Sequence, residues 1–184
     1  MVEGDCWLRR ADAVDLRVLD RCNGPVLDVG CGPGRHTVAL AERGISALGV
    51  DVTDAMLEVA RPRGAPVLRR SIFDPLPGTG RWGTALVLDA NLGIGGDLGA
   101  LLQRLHELLC PDGLLLAEPV AGVGSTHGPA RVELEGTIGP WFPWVGVDGA
   151  ALLREVGGGD RFRLVERWTD EGRTFVALRR SSRP

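Results

Sequence analysis

Four groups of residues in this chain have the types and spacing to do chemistry. The first is Val26-Leu-Asp-Val-Gly-Cys-Gly-Pro-Gly-Arg-His36, where an apolar run carries Asp28 and then breaks into glycine at 30, 32 and 34. Glycines there take positive φ and let a ligand lie against bare backbone, while the amides opening the next helix face it with a partial positive charge, so the segment reads as a cofactor cradle. The second is Asp51, closing Ala47-Leu-Gly-Val-Asp51 about twenty residues after the loop, where a ribose needs a carboxylate for its two hydroxyls. The third is Asp89-Ala-Asn91 with the Gly93-Ile-Gly-Gly96 loop, at the end of a later strand. The fourth is His127, in a Gly/Ser loop, with the aromatic run Trp141-Phe-Pro-Trp144 beyond it: a general base and an aromatic wall, or a bystander histidine and hairpin packing.

The spacing of the glycines narrows the ligand. A dinucleotide fingerprint, G-x-G-x-x-G, needs glycine at position 35, and Arg35 stands there. The acid-x-G-x-G-x-G pattern instead resembles motif I of the class I S-adenosylmethionine-dependent methyltransferases. The resemblance runs in order and spacing over roughly residues 25 to 118, and a final antiparallel pair extends it to the C-terminus. It implies that Asp28, Gly30, Cys31, Gly32, Gly34 and Arg35 surround the methionine end of S-adenosylmethionine, with Arg35 as a partner for its carboxylate. It implies further that Asp51 meets the ribose, that Val52 beside it contacts the cofactor, that Met56, Ser71, Ile72 and Phe73 lie near the adenine, and that Asp89, Ala90 and Asn91 line the crevice. Met56 serves equally well as a core residue. Ser71 or Ile72 falls where the family often has an acid, with Asp74 following, which leaves the adenine amino group without an assigned partner. His36, beside Arg35 in the first turn, is expected to stay neutral and to point into solvent.

The implied reaction moves a methyl group from S-adenosylmethionine to a small-molecule acceptor by in-line displacement, leaving S-adenosylhomocysteine. Positioning supplies about 7–11 kcal/mol in favourable cases, and a base about 10²–10⁴-fold where the acceptor must lose a proton, so no catalytic triad need be visible. His127 is the candidate base, and Trp141 and Trp144 are the candidate substrate contacts. His106, inside a leucine-rich helix, reads as structural. A cofactor-binding protein without catalysis, a sensor or accessory subunit, would share the cradle and Asp51. A nicotinamide oxidoreductase is disfavoured by Arg35. The sequence after the fourth strand, Asp89-Ala-Asn-Leu92, lacks the Asn/Asp-Pro-Pro-aromatic motif of amino-methylating nucleic-acid enzymes.

The elements that must position these residues alternate strand and helix, which predicts an α/β Rossmann-like three-layer sandwich. Its mostly parallel seven-stranded sheet ends in an antiparallel C-terminal hairpin, and a small inserted hairpin follows strand 5. Strands are expected near 26–29, 47–50, 67–69, 85–88 and 114–117. Helices are expected near 37–43, after a Thr53 or Asp54 cap, after an Asp97 cap with a leucine face ended by Pro111-Asp-Gly113, and at 149–156. The last hairpin is placed at 162–168 and 173–178 around Asp170-Glu-Gly172. One domain is expected over 1–184, with 1–24 as an N-terminal cap segment and 119–147 as a substrate-side insertion.

Composition bounds the rest. The 184 residues contain no lysine and no tyrosine, which removes lysine-base, Schiff-base and phenol mechanisms. A formal charge of −3 gives no basic field for phosphate backbones, so nucleic acid is a disfavoured partner. Cysteines at 6, 22, 31 and 110 and three histidines form no metal-ligand spacing, so no metal is expected. No apolar run has the length of a membrane span and the acidic start does not resemble a signal peptide, so the expectation is a cytoplasmic protein, monomer or homodimer. The arginine, alanine and glycine richness suggests a high-GC bacterial gene.

Overall fold

Val26–Val29 is buried at every position, as a strand covered on both faces must be, and it forms the centre of the sheet as β1. The computed structural model describes residues 5–122, 127–131, 133–134, 137–138 and 141–182. In chain order the elements are α1 (Asp5–Leu8), α2 (Ala13–Leu19), β1, α3 (Arg35–Glu42), β2 (Ala47–Asp51), α4 (Asp54–Ala60), β3 (Val67–Arg69), β4 (Trp82–Val87), α5 (Leu98–Leu108), β5 (Leu109–Ala117), β6 (His127–Ala130), β7 (Glu133–Leu134), β8 (Thr137–Ile138), β9 (Phe142–Val145), α6 (Gly149–Gly157), β10 (Phe162–Asp170) and β11 (Arg173–Arg180). The main sheet has seven strands in the order β3-β2-β1-β4-β5-β11-β10. Strands β1 to β5 run parallel, and β11 lies antiparallel to both β5 and β10, so it alone is reversed. The order changes direction between β1 and β4, and in open α/β sheets that switch point is where ligands bind, outside the carboxyl ends of the strands.

Two apolar clusters fill the layers on either side of the sheet. On one face the leucine stripe of α5 (Leu101, Leu102, Leu105, Leu108) packs with Leu152 and Val156 of α6 against Leu27, Val29 and Val87. On the other, Val14, Val18 and Leu19 of α2 join Ala39 and Leu40 of α3 over Val26, Leu86 and Phe175. Side chains alternate across a strand, which is why Leu27 and Val29 belong to one cluster and Val26 to the other.

The expected elements are present with instructive differences. Helix α3 begins at Arg35, two residues before the expected start, because left-handed Gly34 is itself the N-cap. Asp97 caps α5 by accepting from the Ala100 N–H, as its position before a leucine stripe requires. Pro111-Asp-Gly113 does not end α5. It forms a bulge inside β5, between the pairs Trp82–Leu109 and Thr84–Leu114, with Asp112 at φ 59°. The insertion after β5 is larger than one hairpin: β6 pairs with β9, and the short β7–β8 pair lies between them in the chain. Glu171 and Gly172 make the last turn, both with positive φ, the geometry that matches strand twist in a two-residue hairpin. No helix among the described residues is long and apolar enough to cross a membrane.

Candidate active site

The three glycines after β1 share positive φ, at 69°, 51° and 79°, but have different reasons to be glycine. A Cβ on Gly30 would lie 2.6 Å from the Asn91 amide nitrogen and 2.9 Å from Ile94, and one on Gly34 would lie 2.9 Å from Ala65 Cβ and 3.1 Å from Ala60 Cβ. Those two are packing glycines. A Cβ on Gly32 would meet nothing within 4 Å, so the space above its backbone is open. Its N–H donates to Asp51 Oδ2 at 2.9 Å, while Asp51 Oδ1 accepts from the Thr53 N–H at 2.8 Å. The carboxylate at the end of β2 is thereby fixed against the glycine loop, with Val52 beside it 53% exposed. Gly49 in β2 went unremarked in the sequence, though an interior strand glycine is itself a signal: a Cβ there would strike Cys31 Sγ and Thr37 Oγ1 at 2.7 and 2.8 Å.

Around the crevice, Asn91 Nδ2 donates to the carbonyls of Gly30 (2.9 Å) and Val29 (3.2 Å), tying the loop after β4 to the cradle. The 71–74 turn closes on itself, with Ser71 N–H donating to Asp74 Oδ2 and Phe73 N–H to Ser71 Oγ. Arg104 on α5, unmarked in the sequence reading, donates to the carbonyls of Ile72 (3.0 Å) and Asp74 (2.8 Å) and holds that turn in place. Phe73 is 41% exposed and sits where a Cβ on Gly95 would touch its ring. Ile72, Met56 and Cys31 are buried instead of lining an open surface. For Cys31 the burial also pushes the thiol well above its ordinary value.

The placements of Asp28, Arg35 and His36 correct the picture drawn from the sequence. Asp28 is buried beneath the loop, accepting from Thr37 Oγ1 at 2.7 Å, and burial raises its carboxyl above the ordinary range. Arg35 is turned inward: Nε and Nη2 donate to Asp15 at 3.0 and 3.3 Å, and Nη2 also donates to Asp89 Oδ1 at 2.7 Å. His36 is buried and not in solvent, with Nε2 3.4 Å from Asp15 Oδ1, an ion-pair distance without hydrogen-bond geometry. Arg173, at the start of β11, completes the cluster by donating to Asp15 Oδ1 at 2.7 Å and to both oxygens of Glu118 at 2.8 Å. In this cluster, Asp15, Glu118 and Arg173 are the residues that sequence reasoning missed.

This cluster makes stability depend on pH in both directions. Burial works against a charged imidazole, yet Asp15, Asp28 and Asp89 raise His36 above its ordinary value of 6.5. A raised base stabilises fully below its unfolded value and loses that contribution as pH rises through the folded one. Burial alone would push Asp15 up, but His36, Arg173 and Arg35 hold it well below the usual carboxylate range, so its contribution is present above the ordinary value of 3.8 and lost in strong acid. Denaturation midpoints should therefore fall on the alkaline side of 6.5 in the native chain, and this fall should be missing from His36→Gln.

At the far end of the Gly93–Gly96 loop, strand β9 bridges to Ile94 through Trp144, and the Trp144 ring packs on Gly93, where a Cβ would come within 2.6 Å of it. Gly96, Gly128, Pro129, Trp141, Phe142, Pro143 and Trp144 line an open cavity of about 430 Å³. Trp141 is 61% exposed, and the Arg131 guanidinium stands 4.8 Å from its ring centre. The cavity adjoins the loop after β4 and not the glycine cradle itself. His127 opens β6, and its side chain lies outside what the structure describes. No group of three or more potential metal ligands occurs among the described residues.

Residues 26–113, which carry the cradle, Asp51 and the loop after β4, match the family described as "Methyltransferase domain". Over that stretch the chain is similar to the methyltransferases. Among relatives, it is 32% identical over 145 residues to trans-aconitate 2-methyltransferase of Paracidovorax citrulli, covering 76% of this chain and 55% of that protein. It is 30% identical over 94 residues to magnesium-protoporphyrin O-methyltransferase of Rhodobacter capsulatus, covering 46% of this chain and 42% of that protein. The chain thus spans about half the length of the curated relatives it matches. Its fold is that of a methyltransferase from Bacteroides fragilis solved with S-adenosylhomocysteine, with TM-score 0.79 and 21% identity over 98% of this chain and 82% of that one. It is likewise that of 1,6-didemethyltoxoflavin-N1-methyltransferase from Burkholderia thailandensis, with TM-score 0.65 and 21% identity over 97% and 80%.

Proposed function

We propose that this chain is a class I S-adenosylmethionine-dependent methyltransferase, which transfers a methyl group to a small-molecule acceptor by in-line displacement. The observation that carries the reading is Gly32: left-handed, open above, its N–H bonded to the carboxylate of the neighbouring strand. The residues fit the cofactor. Gly30 to Gly34 and the opening of α3 would take the methionine end, Asp51 the ribose hydroxyls, and the exposed side chains of Val52 and Phe73 the faces of the adenine. When bound, S-adenosylmethionine supplies a methyl group on a sulfonium leaving group that needs no further activation. The chain's part is then to orient and to exclude water. Asn91 fixes the cradle, Arg104 fixes the 71–74 turn, and the aromatic cavity of β6 and β9 offers an acceptor a surface beside the loop after β4.

Calorimetric titration with S-adenosylmethionine, S-adenosylhomocysteine and NADH tests this. Binding of both sulfur compounds without NADH supports the reading, and NADH binding alone would overturn it. Asp51→Ala removes the ribose partner and the anchor of the Gly32 amide together. A hydrogen bond to a charged group contributes about 1.5–3 kcal/mol, so the loss of one should lower affinity for S-adenosylhomocysteine roughly ten- to hundredfold, and the loss of both by more. Unchanged affinity would remove Asp51 from the site.

A further inference from the structure

Resting on that reading, we infer that Asp89 orients the acceptor, and that the acceptor attacks through an atom that carries hydrogen, an amine or a hydroxyl and not a carboxylate. Asp89 follows β4 at the switch point of the sheet. It and Ala90 are consecutive non-glycine residues in the left-handed region, at φ 53° and 65°. Each such residue is strained and persists only where its surroundings over-determine it, often where a group must be aimed at a ligand. Here the Asp89 N–H donates to Glu118 Oε2 at 3.0 Å, Glu118 is clamped by Arg173, and Asn91 is bonded to the cradle on the other side. The side chain is held by one oxygen only. Oδ1 takes the Arg35 bond at 2.7 Å and faces Arg173 Nη2 at 3.9 Å. Oδ2 has no partner among the described residues and is not among the buried unpartnered atoms, so it is open to a ligand. The result is an oriented acceptor of one hydrogen bond at the mouth of the crevice.

Oδ2 can accept from N–H or O–H, whereas a carboxylate nucleophile would bring two anions together. As the nucleophile's lone pair forms the bond to the methyl carbon, the carbon–sulfur bond breaks with its pair going to sulfur. Positive charge then grows on the nitrogen or oxygen whose proton Oδ2 holds, the hydrogen bond strengthens, and the proton leaves by way of Oδ2 to water.

The aromatic cavity suggests small aromatic probes. Benzylamine, benzyl alcohol and benzoate would be titrated by saturation-transfer NMR into the protein saturated with S-adenosylhomocysteine. The amine or the alcohol should bind at least about tenfold tighter than benzoate, and Asp89→Asn, which keeps an oxygen for Arg35 but loses the charge, should erase that preference. Benzoate binding as well as the others, binding of none of the three, or a preference that survives Asp89→Asn would each overturn the proposal. So would Asp89→Asn weakening S-adenosylhomocysteine by the same factor as the probes, because Asp89 would then belong to the cofactor. Failure of S-adenosylhomocysteine to bind the native chain would instead sink the methyltransferase reading itself.

Discussion

Asp15→Ala lowers the stability of the fold by about 3–5 kcal/mol, the cost of taking one partner from a buried ionic cluster and leaving the others short of a counter-charge. Asp15 is fully buried on α2 and faces two guanidinium groups and an imidazole: Arg35 at 3.0 Å, Arg173 at 2.7 Å and His36 at 3.4 Å. Among the described residues, Arg35 would keep only Asp89, and Arg173 would keep Glu118 with nothing for Nη1 nearer than Asp12 at 3.9 Å. The damage reaches the site, because Arg35 opens α3 directly after the cradle and bonds Asp89 beside the crevice. Urea titration should show a lowered midpoint with an unchanged slope, together with weaker S-adenosylhomocysteine binding. Asp15→Asn keeps the size and part of the hydrogen bonding and should recover some of the loss. A loss below about 1 kcal/mol for the alanine variant, the range of exposed pairs, would mean that water relaxes around the two arginines and that the cluster does not anchor α2.

The cluster also marks where the sequence stopped being legible. The strands themselves, the helix start at Thr53, the cap at Asp97 and the final turn follow from local signals: apolar runs, an N-cap before a stripe, a turn needing positive φ. Asp15 is separated from Arg35 by 20 positions and from Arg173 by 158, and no periodicity links them. What is locally visible is only the capping box it makes with Asp12 on α2. From the sequence Arg35 therefore reads as a partner for the methionine carboxylate, whereas its partners come from α2 and from the end of β4. The bulge in β5 was misread for a related reason. Pro-Asp-Gly signals a turn, but the sequence does not say whether the turn ends a helix or kinks a strand, and here pairing with β4 on both sides of it decides. The 119–147 segment was seen as an insertion from its composition, while its attachment through Trp144 to Gly93 and Ile94 appears only in three dimensions.

The same limit applies to the three glycines, and it makes the sharpest test of the site. Gly32→Val should abolish S-adenosylhomocysteine binding, by about a hundredfold or more, while leaving the fold largely intact. Its Cβ meets no protein atom, so the cost to the free chain is the strain of a branched side chain at φ 51°, of order 1–3 kcal/mol. The isopropyl group instead fills the open space over the backbone that the methionine end needs. Gly34→Val should show the opposite balance. Strain at φ 79° is joined by collision with Ala65 and Ala60, and overpacking adds typically about 1–3 kcal/mol, so its thermal midpoint should drop further than that of Gly32→Val. Calorimetry with S-adenosylhomocysteine and a melting curve on each variant separate the two effects. If Gly32→Val binds nearly as well as the native chain, the open space is not where the cofactor lies and the cradle must be placed elsewhere. If both variants melt early and neither binds, the loop is a packing motif throughout, and the distinction drawn between Gly32 and its neighbours is wrong.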